Sequence, residues 1–437
     1  MTEEQLPVTI DGIESYQQRI YTASAGWLKP IRNRSFNQLS FEALPTVKDE
    51  EWKYTSLADI TNKQMVFATR FDLAQKEELA KYLDDNDINI VLVNGIFVPE
   101  LSNRTHLPKG LTIAPLNKAN EQFAPEIQET ITKVTPNDTK SLWWLNTALF
   151  IEGVFIKVQA NAVIEETIHI VHVTSDVENN TVLFPRVFIS VEKSAALHVL
   201  ESHIGYGDKS YFADAVTDIK VAANATFSYC KAESETTKAV HVATTRLWQE
   251  RDSNVDVFSF AHGAKLVRNN LSILLKGENT NTIMNGFYAI DGEQHVDNHT
   301  LLDIQQPNCT SYQLYKGILN DKSRAVFNGK IYVHADAQKT NGYQLNKHLL
   351  LGKEARIDTK PQLEIFADDV KCTHGATIGQ LSDDEVFYLQ SRCIPKQTAI
   401  QLLSKGFIND IIATVKSDAV RGKLNKLLAA KFPEVKI

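Results

Sequence analysis

The chain has 437 residues, a formal net charge of −7, 43% hydrophobic residues and 23% charged residues, so we expect a soluble protein of two or three domains or one elongated architecture with caps. The negative charge argues against a general nucleic-acid-binding protein, whose binding surface is basic. No apolar run approaches the roughly 20 residues of a membrane helix and no secretory signal is visible, so we expect a cytoplasmic protein with neither membrane nor nucleic-acid partners.

Residues 1–148 predict a mixed and mostly helical N-terminal domain. The segments 10–24 and 76–85 have the composition and spacing of helices. The segment 89–98 predicts a short β-hairpin, because Asn94-Gly95 is a favoured two-residue turn between apolar runs.

From about Leu149 the apolar period changes from 3.6 residues to 2, and it stays there with few interruptions as far as residue 381. A five-residue pattern recurs in this region: a strand end, two residues, a small polar turn former and an alanine. The copies are Val158–Ala162, Val191–Ala195, Val221–Ala225, Val333–Ala337 and Leu351–Ala355. This recurrence favours a solenoid of stacked strands over residues 149–381, although a β-sandwich also contains short alternating strands.

Residues 382–437 predict a C-terminal helical domain. Ser382 and Glu385 form a capping box, Pro395 suits the first turn of a second helix, and a third helix is predicted over residues 418–431. In the second helix one apolar stripe contains Ile400, Leu403, Phe407, Ile411 and Val415. This stripe either packs on the chain's own core or forms a docking surface for a partner.

The stretch KCTHGAT (371–377) contains the most suggestive polar pair. On a strand, Cys372 and His374 would share one face, with side chains close enough to bind one soft metal ion or one cluster iron. Two ligands leave such a site incomplete, so further ligands would come from elsewhere. A nucleophile with its base and a packed structural corner remain alternatives.

The other cysteines are Cys230, Cys309 and Cys393, and no two cysteines form C-x-x-C, which is typical of a reducing compartment. The stretch GEQHVDNHTLLD (292–303) would place His295, Asp297 and His299 on one face of a strand. These residues are either a metal triad or, as expected on the outer face of a solenoid, a solvated polar row.

No P-loop, dinucleotide-binding fingerprint, nucleophile elbow or H-E-x-x-H motif is present in the sequence, so the chain is not expected to hydrolyse ATP or to act as an enzyme of these classes.

The stretches DEEWKYTSL (49–57), CTSYQLYKGIL (309–319), 325–351 and 355–381 closely resemble the SufD family, the scaffold subunit of the SUF iron–sulfur cluster assembly machinery. The resemblance is densest from about Gln294 onward, whereas residues 1–45 and 100–145 match poorly. It implies a mostly-β fold, with a right-handed parallel β-helix core flanked by α-helical N- and C-terminal regions.

The resemblance also implies a function. Members of the SufD family form a heterodimer with the paralogous scaffold SufB, and each scaffold binds one SufC ATPase through its C-terminal helices. The stripe that contains Ile400 would then be the docking element for the ATPase. His374 would face SufB and contribute, beside Cys372, to a transient iron–sulfur cluster at the interface, with no cofactor firmly bound to the isolated chain. ATP-driven pairing of the two ATPase subunits would open this interface.

Three alternatives remain at this point. The first is that the chain is the SufB paralogue. The sequences of residues 358–365 and 371–377 and the low cysteine count favour SufD over it. A β-helix carbohydrate-active enzyme would carry paired carboxylates in a groove, which the sequence does not show. A stand-alone iron-binding protein would use His295, Asp297 and His299. In isolation, the chain is expected to form a homodimer through the face that normally meets the partner.

Overall fold

A computed structural model describes residues 10–39, 44–71, 73, 76–103, 107–119, 122–133, 135 and 140–431. Two long sheets dominate it, and nearly all of their strand pairs are parallel. Within the described ranges, no helix has the length and apolar character needed to cross a membrane.

The strands are β1 Val66–Phe67, β2 Ile88–Val93, β3 Ile96–Phe97, β4 Leu111–Pro115, β5 Val154–Val158, β6 Ile168–Thr174, β7 Thr181–Leu183, β8 Arg186–Val191, β9 Ala196–Gly205, β10 Tyr211–Val221, β11 Thr226–Ser234, β12 Ala239–Gln249, β13 Asn254–Ala261, β14 Leu266–Leu275, β15 Asn281–Ile290, β16 His295–Ile304, β17 Thr310–Leu319, β18 Arg324–Val333, β19 Thr340–Leu350, β20 Arg356–Ile365 and β21 Val370–Gly379. Sheet I has the order β20-β18-β16-β14-β12-β10-β8-β5-β4, with β7 and β1 at its side. Sheet II has the order β21-β19-β17-β15-β13-β11-β9-β6-β2-β3. Because successive strands alternate between the two sheets, the chain winds as a parallel β-solenoid, which confirms the predicted fold class and excludes the sandwich.

The recurring turn residues lie where the chain passes from sheet I to sheet II. Asn161, Ser194 and Asn224 adopt left-handed backbone conformations with φ of 64°, 58° and 58°. Short polar side chains tolerate this conformation best, which explains why the pattern requires a turn former at this place. The corners are joined along the solenoid, since Asn224 Nδ2 donates to Ser194 Oγ at 3.0 Å.

Two copies of the pattern depart from this scheme. The copy Val333–Ala337 lies at the same corner, but its left-handed residue is Lys339 rather than Asp336. The copy Leu351–Ala355 lies at the opposite corner, between β19 and β20, so it was wrongly grouped with the others. Its alanine is buried there as well, because a small residue fits either tight corner of the solenoid.

The lumen between the sheets is filled by the side chains that alternate inward along each strand. One apolar cluster lines the corner that contains the repeated pattern, and it includes Ile156, Val199, Phe227 and Ile304. A second apolar cluster lines the opposite corner around Tyr211, Tyr288 and Val296. These buried residues account for the long period-2 pattern, because each strand of the solenoid has one face in the lumen.

The helices are α1 Ile13–Ala23, α2 Lys29–Gln38, α3 Ala58–Thr61, α4 Lys76–Ala80, α5 Ala124–Ile131, α6 Lys140–Leu149, α7 Asp383–Gln390, α8 Lys396–Ile412 and α9 Asp418–Lys431. The N-terminal helices pack against the outer face of sheet I, where Trp143 and Phe150 meet Phe188 and Phe212. The predicted hairpin is confirmed as the antiparallel pair β2–β3, turned by Asn94 and Gly95.

The C-terminal helices follow the sequence prediction closely. The Ser382 side chain accepts a hydrogen bond from the backbone N–H of Glu385 and caps α7. Pro395 is the N-cap of α8, one residue before the predicted first turn, and α9 has the predicted bounds. Helices α8 and α9 pack on the outer face of sheet II, where Ile411 and Leu424 are fully buried.

Candidate cluster-assembly site at the end of the solenoid

The strand that contains KCTHGAT is the last strand of sheet II. It pairs with β19 along one edge, and β20 is likewise the last strand of sheet I. In the part of the chain that the structure describes, no strand pairs with the far edges of β20 and β21. These edges therefore present backbone donors and acceptors that a further strand can use.

Cys372 and His374 lie on the inward-facing side of this last strand, which confirms that they share one face. Cys372 packs against the apolar cluster of the lumen, and the Cα partner of His374 is Gln344, which is fully buried in the lumen. Among the described residues no strand follows β21, so the last inward row is left uncovered: His374 is exposed and Cys372 is half-buried.

The surroundings of Cys372 favour its thiol form. Burial raises the pKa of this thiol, although the backbone N–H of Gly342 acts in the opposite direction. A thiol binds iron only after it loses its proton, so Cys372 becomes a ligand only when a metal ion or a nearby base removes that proton.

Exposed apolar residues at this end of the chain were not identified from the sequence. Ile365 is the last residue of β20, Phe366 follows it, and Ile378 lies on β21; 38%, 59% and 50% of their surfaces are exposed. Phe387 and Tyr388 on α7 are also exposed. The sequence could have revealed them, because an inward apolar residue in the last turn of a solenoid has no further turn to cover it.

The predicted docking stripe on α8 is divided between two environments. Ile411 and Val415 are buried against the chain's own sheet II, as the alternative of packing on the core predicted. The stripe is also shorter than predicted, because α8 ends at Ile412 and Val415 lies beyond it. Ile400, Leu403 and Phe407 are half-buried. Only these three residues keep surface that a partner can contact in this structure, and the docking role itself stays a prediction.

The row His295, Asp297 and His299 shares the outer face of β16, as predicted, but it is not solvated. Asp297 and His299 are buried, and His295 is half-buried. The segment that covers them comes from the N-terminal region: Thr55 Oγ1 lies 3.0 Å from His295 Nε2 and donates a hydrogen bond to Asp297.

In this network Asp297 contacts Arg268, His299 and Thr55. Arg268 Nη1 lies 2.6 Å from Asp297 Oδ2, and His299 Nε2 lies 3.0 Å from Oδ1. The Arg268 guanidinium stacks 3.7 Å from the centre of the Trp52 ring and donates to the Glu51 carbonyl at 2.8 Å. The DEEWKYTSL motif therefore fastens the N-terminal region to sheet I, and the geometry supports a structural role for this row.

Acidification is expected to weaken this attachment. Burial alone would raise the pKa of Asp297, but Arg268, His299 and Thr55 outweigh it and hold the pKa well below the ordinary value. Since an unfolded aspartate titrates near pH ~3.9, the stabilisation by Asp297 is complete above about pH 5 and is lost progressively as the pH falls further.

Asp297→Asn tests this assignment, because the variant leaves the Arg268 charge buried without its partner. We expect it to lower the free energy of unfolding at pH 7 by about 3–5 kcal/mol and to flatten the decline between pH 5 and pH 3. Urea unfolding across this pH range measures both effects. Asp208→Asn is the matched control, since that side chain is 85% exposed. A wild-type decline equal to that of Asp297→Asn would contradict the assignment.

The fold and the site together define a class of protein. The chain is a parallel β-solenoid with helices at both ends, and its open end carries one thiol and one imidazole, which are suitable but insufficient ligands for iron. This description is that of an elongated scaffold with two candidate metal ligands at its open end.

Comparison with known proteins identifies the family within this class. Residues 172–407 match the family model described as the SufBD core domain of SUF-system FeS cluster assembly, and residues 8–170 match the SufBD N-terminal region. The chain therefore belongs to the SufBD family, and it is a relative of SufD, as the sequence predicted.

The relatives agree with this assignment over nearly their whole length. The iron–sulfur cluster assembly protein SufD of Escherichia coli is 32% identical over 98% of this chain and 98% of its own. A SufBD family protein of Synechocystis is 32% identical over 89% of this chain and 87% of its own. SufD of Bacillus subtilis is 25% identical over 93% of this chain and 94% of its own.

Proposed function

We propose that this chain is the SufD-type scaffold of a cytoplasmic SUF complex, without catalytic activity of its own. It pairs with a SufB-type paralogue through the open end of its solenoid and docks a SufC-type ATPase through its C-terminal helices. The observation that carries this proposal is the pair Cys372 and His374 on an uncovered last strand whose outer edge is unpaired.

The unpaired edges and the exposed apolar residues support pairing at this end. A strand edge binds another strand by backbone hydrogen bonds, and exposed Ile365, Phe366 and Ile378 supply apolar area for the same contact. A paralogue with the same fold presents a complementary edge, whereas a second copy of this chain would substitute for it in isolation.

The incomplete ligand set suits a site that must release its product. His374 and Cys372 offer two ligands to a nascent cluster, and the remaining ligands would come from the partner scaffold. A closed site with four ligands from one chain would retain the cluster, while a shared site loses half of its ligands when the interface opens.

Docking of the ATPase can be tested by a substitution that places a charge on the exposed part of α8. We expect Leu403→Asp to reduce co-purification of a co-expressed SufC-type ATPase at least tenfold, because the half-buried Leu403 would place a carboxylate in an apolar contact. The SufB-type partner should remain bound, since it meets the other proposed surface. Subunit ratios in the purified complex measure both results.

Asn409→Asp is the matched control, because it adds the same charge to an exposed position of α8 on the opposite side of the helix. We expect this variant to keep the ATPase. A wild-type chain that co-purifies with neither partner would overturn the proposed function, whereas loss of the ATPase from both variants would contradict only the assigned surface.

A further inference from the structure

A second group of metal-ligating side chains lies deep in the lumen, far from the open end. His172 is on β6, and Glu201 and His203 are on β9. The three residues are called the lumen triad below. Six strand spacings along sheet II separate β9 from β21, or about 29 Å, so the triad is independent of Cys372 and His374.

The strand register creates the triad. His172 and His203 are Cα partners on adjacent parallel strands, and Glu201 precedes His203 by two residues, so all three side chains point into the lumen. The two imidazole rings stack with centroids 4.7 Å apart and planes inclined by 8°.

The distances fit a single ion. His203 Nε2 lies 3.1 Å and His172 Nε2 lies 3.5 Å from the same oxygen, Glu201 Oε1. One donor atom from each residue lies within 4.8 Å of the other two. Atoms bound about 2.1 Å from one metal ion at tetrahedral or octahedral angles are about 3.0–3.4 Å apart, which is close to these distances. Because the two rings are nearly parallel, at least one of them must rotate before both nitrogens point at the same ion.

Glu201 is fixed in place by groups that do not occupy the centre of the triad. Tyr229 donates to Glu201 Oε2 at 2.6 Å, and Thr217 Oγ1 lies 3.0 Å from the same oxygen and 3.3 Å from Oε1. Such outer contacts orient a ligating carboxylate and leave its other oxygen directed at the two imidazoles.

His172 has the weakest polar contacts of the three residues, since Nε2 lies 3.5 Å from Glu201 Oε1. Its side chain is only 7% exposed, and neither ring nitrogen makes a hydrogen bond. A buried imidazole whose nitrogens make no hydrogen bond is costly, and 3.5 Å from Nε2 to the shared oxygen is long for a hydrogen bond. A bound cation would satisfy it.

We propose that the lumen triad is a binding site for one divalent transition-metal ion of the iron(II) class. Two imidazoles and one carboxylate are a recognised ligand set for iron(II) and its first-row neighbours, whereas magnesium and calcium prefer oxygen ligands alone. The site goes beyond the proposed function, since it needs neither partner subunit nor the open end.

The full-length chain, freed of metal by chelation, is titrated anaerobically with cobalt(II), a coloured substitute for iron(II), and then with iron(II). Because the triad is enclosed, a second sample is refolded with the metal present. We expect one ion per chain and a cobalt X-ray absorption spectrum with nitrogen and oxygen ligands, two of them imidazoles, at about 2.1 Å. Sulfur ligation, or no stoichiometric binding in either sample, would overturn the proposal.

Variants assign the binding to the triad. His203→Ala and Glu201→Gln should each weaken cobalt(II) binding at least about 100-fold, since each removes a direct ligand. The matched control is His348→Ala, a buried lumen histidine on β19 whose ring nitrogens also lack hydrogen bonds. Equal cobalt(II) binding by all variants would overturn the proposal. If a variant fails to fold, the X-ray absorption spectrum of the wild type decides whether two imidazoles bind the metal.

Discussion

Replacement of His374 by alanine is expected to abolish the accumulation of iron–sulfur cluster on an intact complex of this chain with its SufB-type and SufC-type partners. His374 is the exposed imidazole on the inward face of β21, and no further rung covers it in the part of the chain that the structure describes. Removal of one ligand from a site that is already shared between subunits leaves the cluster without a stable set of donors.

The measurement is the content of iron and sulfide per complex after anaerobic loading, together with the subunit ratio. Thr373→Ala is the matched control, because Thr373 is exposed on the same strand and points to the opposite face. We expect Thr373→Ala to load normally and His374→Ala to fall at least tenfold while the complex stays intact.

Normal loading of His374→Ala would reduce KCTHGAT to a structural corner and move the search for ligands to the partner scaffold. Failure of both variants to form a complex would instead indicate that this strand is needed for pairing. The two results are distinguishable because subunit ratios and cluster content are measured on the same sample.

Local patterns in the sequence were sufficient to predict the solenoid fold. Asn161, Ser194 and Asn224 marked the corners correctly because a left-handed turn restricts the choice of residue at that place. The copy at Leu351–Ala355 was misplaced, since a small buried alanine serves both corners and carries no information about which one it occupies.

Contacts between distant segments could not be predicted in the same way. The alternation of β16 correctly placed His295, Asp297 and His299 on one face, but their burial depends on Thr55, 240 residues before His295. Similarly, the spacing of α8 revealed a stripe without showing that sheet II covers Ile411. The lumen triad requires the register of β6 on β9, which neither strand specifies alone.

Asp218→Ala is expected to be among the most destabilising single substitutions in the chain. Asp218 lies on β10 beneath the N-terminal helices, where it is fully buried between two arginines. Arg186 Nη2 lies 2.5 Å from Asp218 Oδ2, and Arg246 Nε donates to Oδ1 at 2.7 Å. Removal of this carboxylate leaves two buried positive charges facing each other, so we expect a loss of about 3–5 kcal/mol or more in the free energy of unfolding.

Two comparisons make the test specific to the buried charges. Asp59→Ala breaks the exposed ion pair with Lys265 and should cost no more than about 1 kcal/mol. The triple variant Arg186→Met, Asp218→Leu and Arg246→Met removes all three charges and should recover much of the loss, because buried ion pairs are replaceable by apolar groups of similar volume. Urea unfolding measures the free energy of unfolding of each variant.

An Asp218→Ala variant that lost no more stability than Asp59→Ala would contradict this prediction. The two arginines would then be stabilised by other contacts on the outer face of sheet I, such as that of Arg246 with the Trp143 ring.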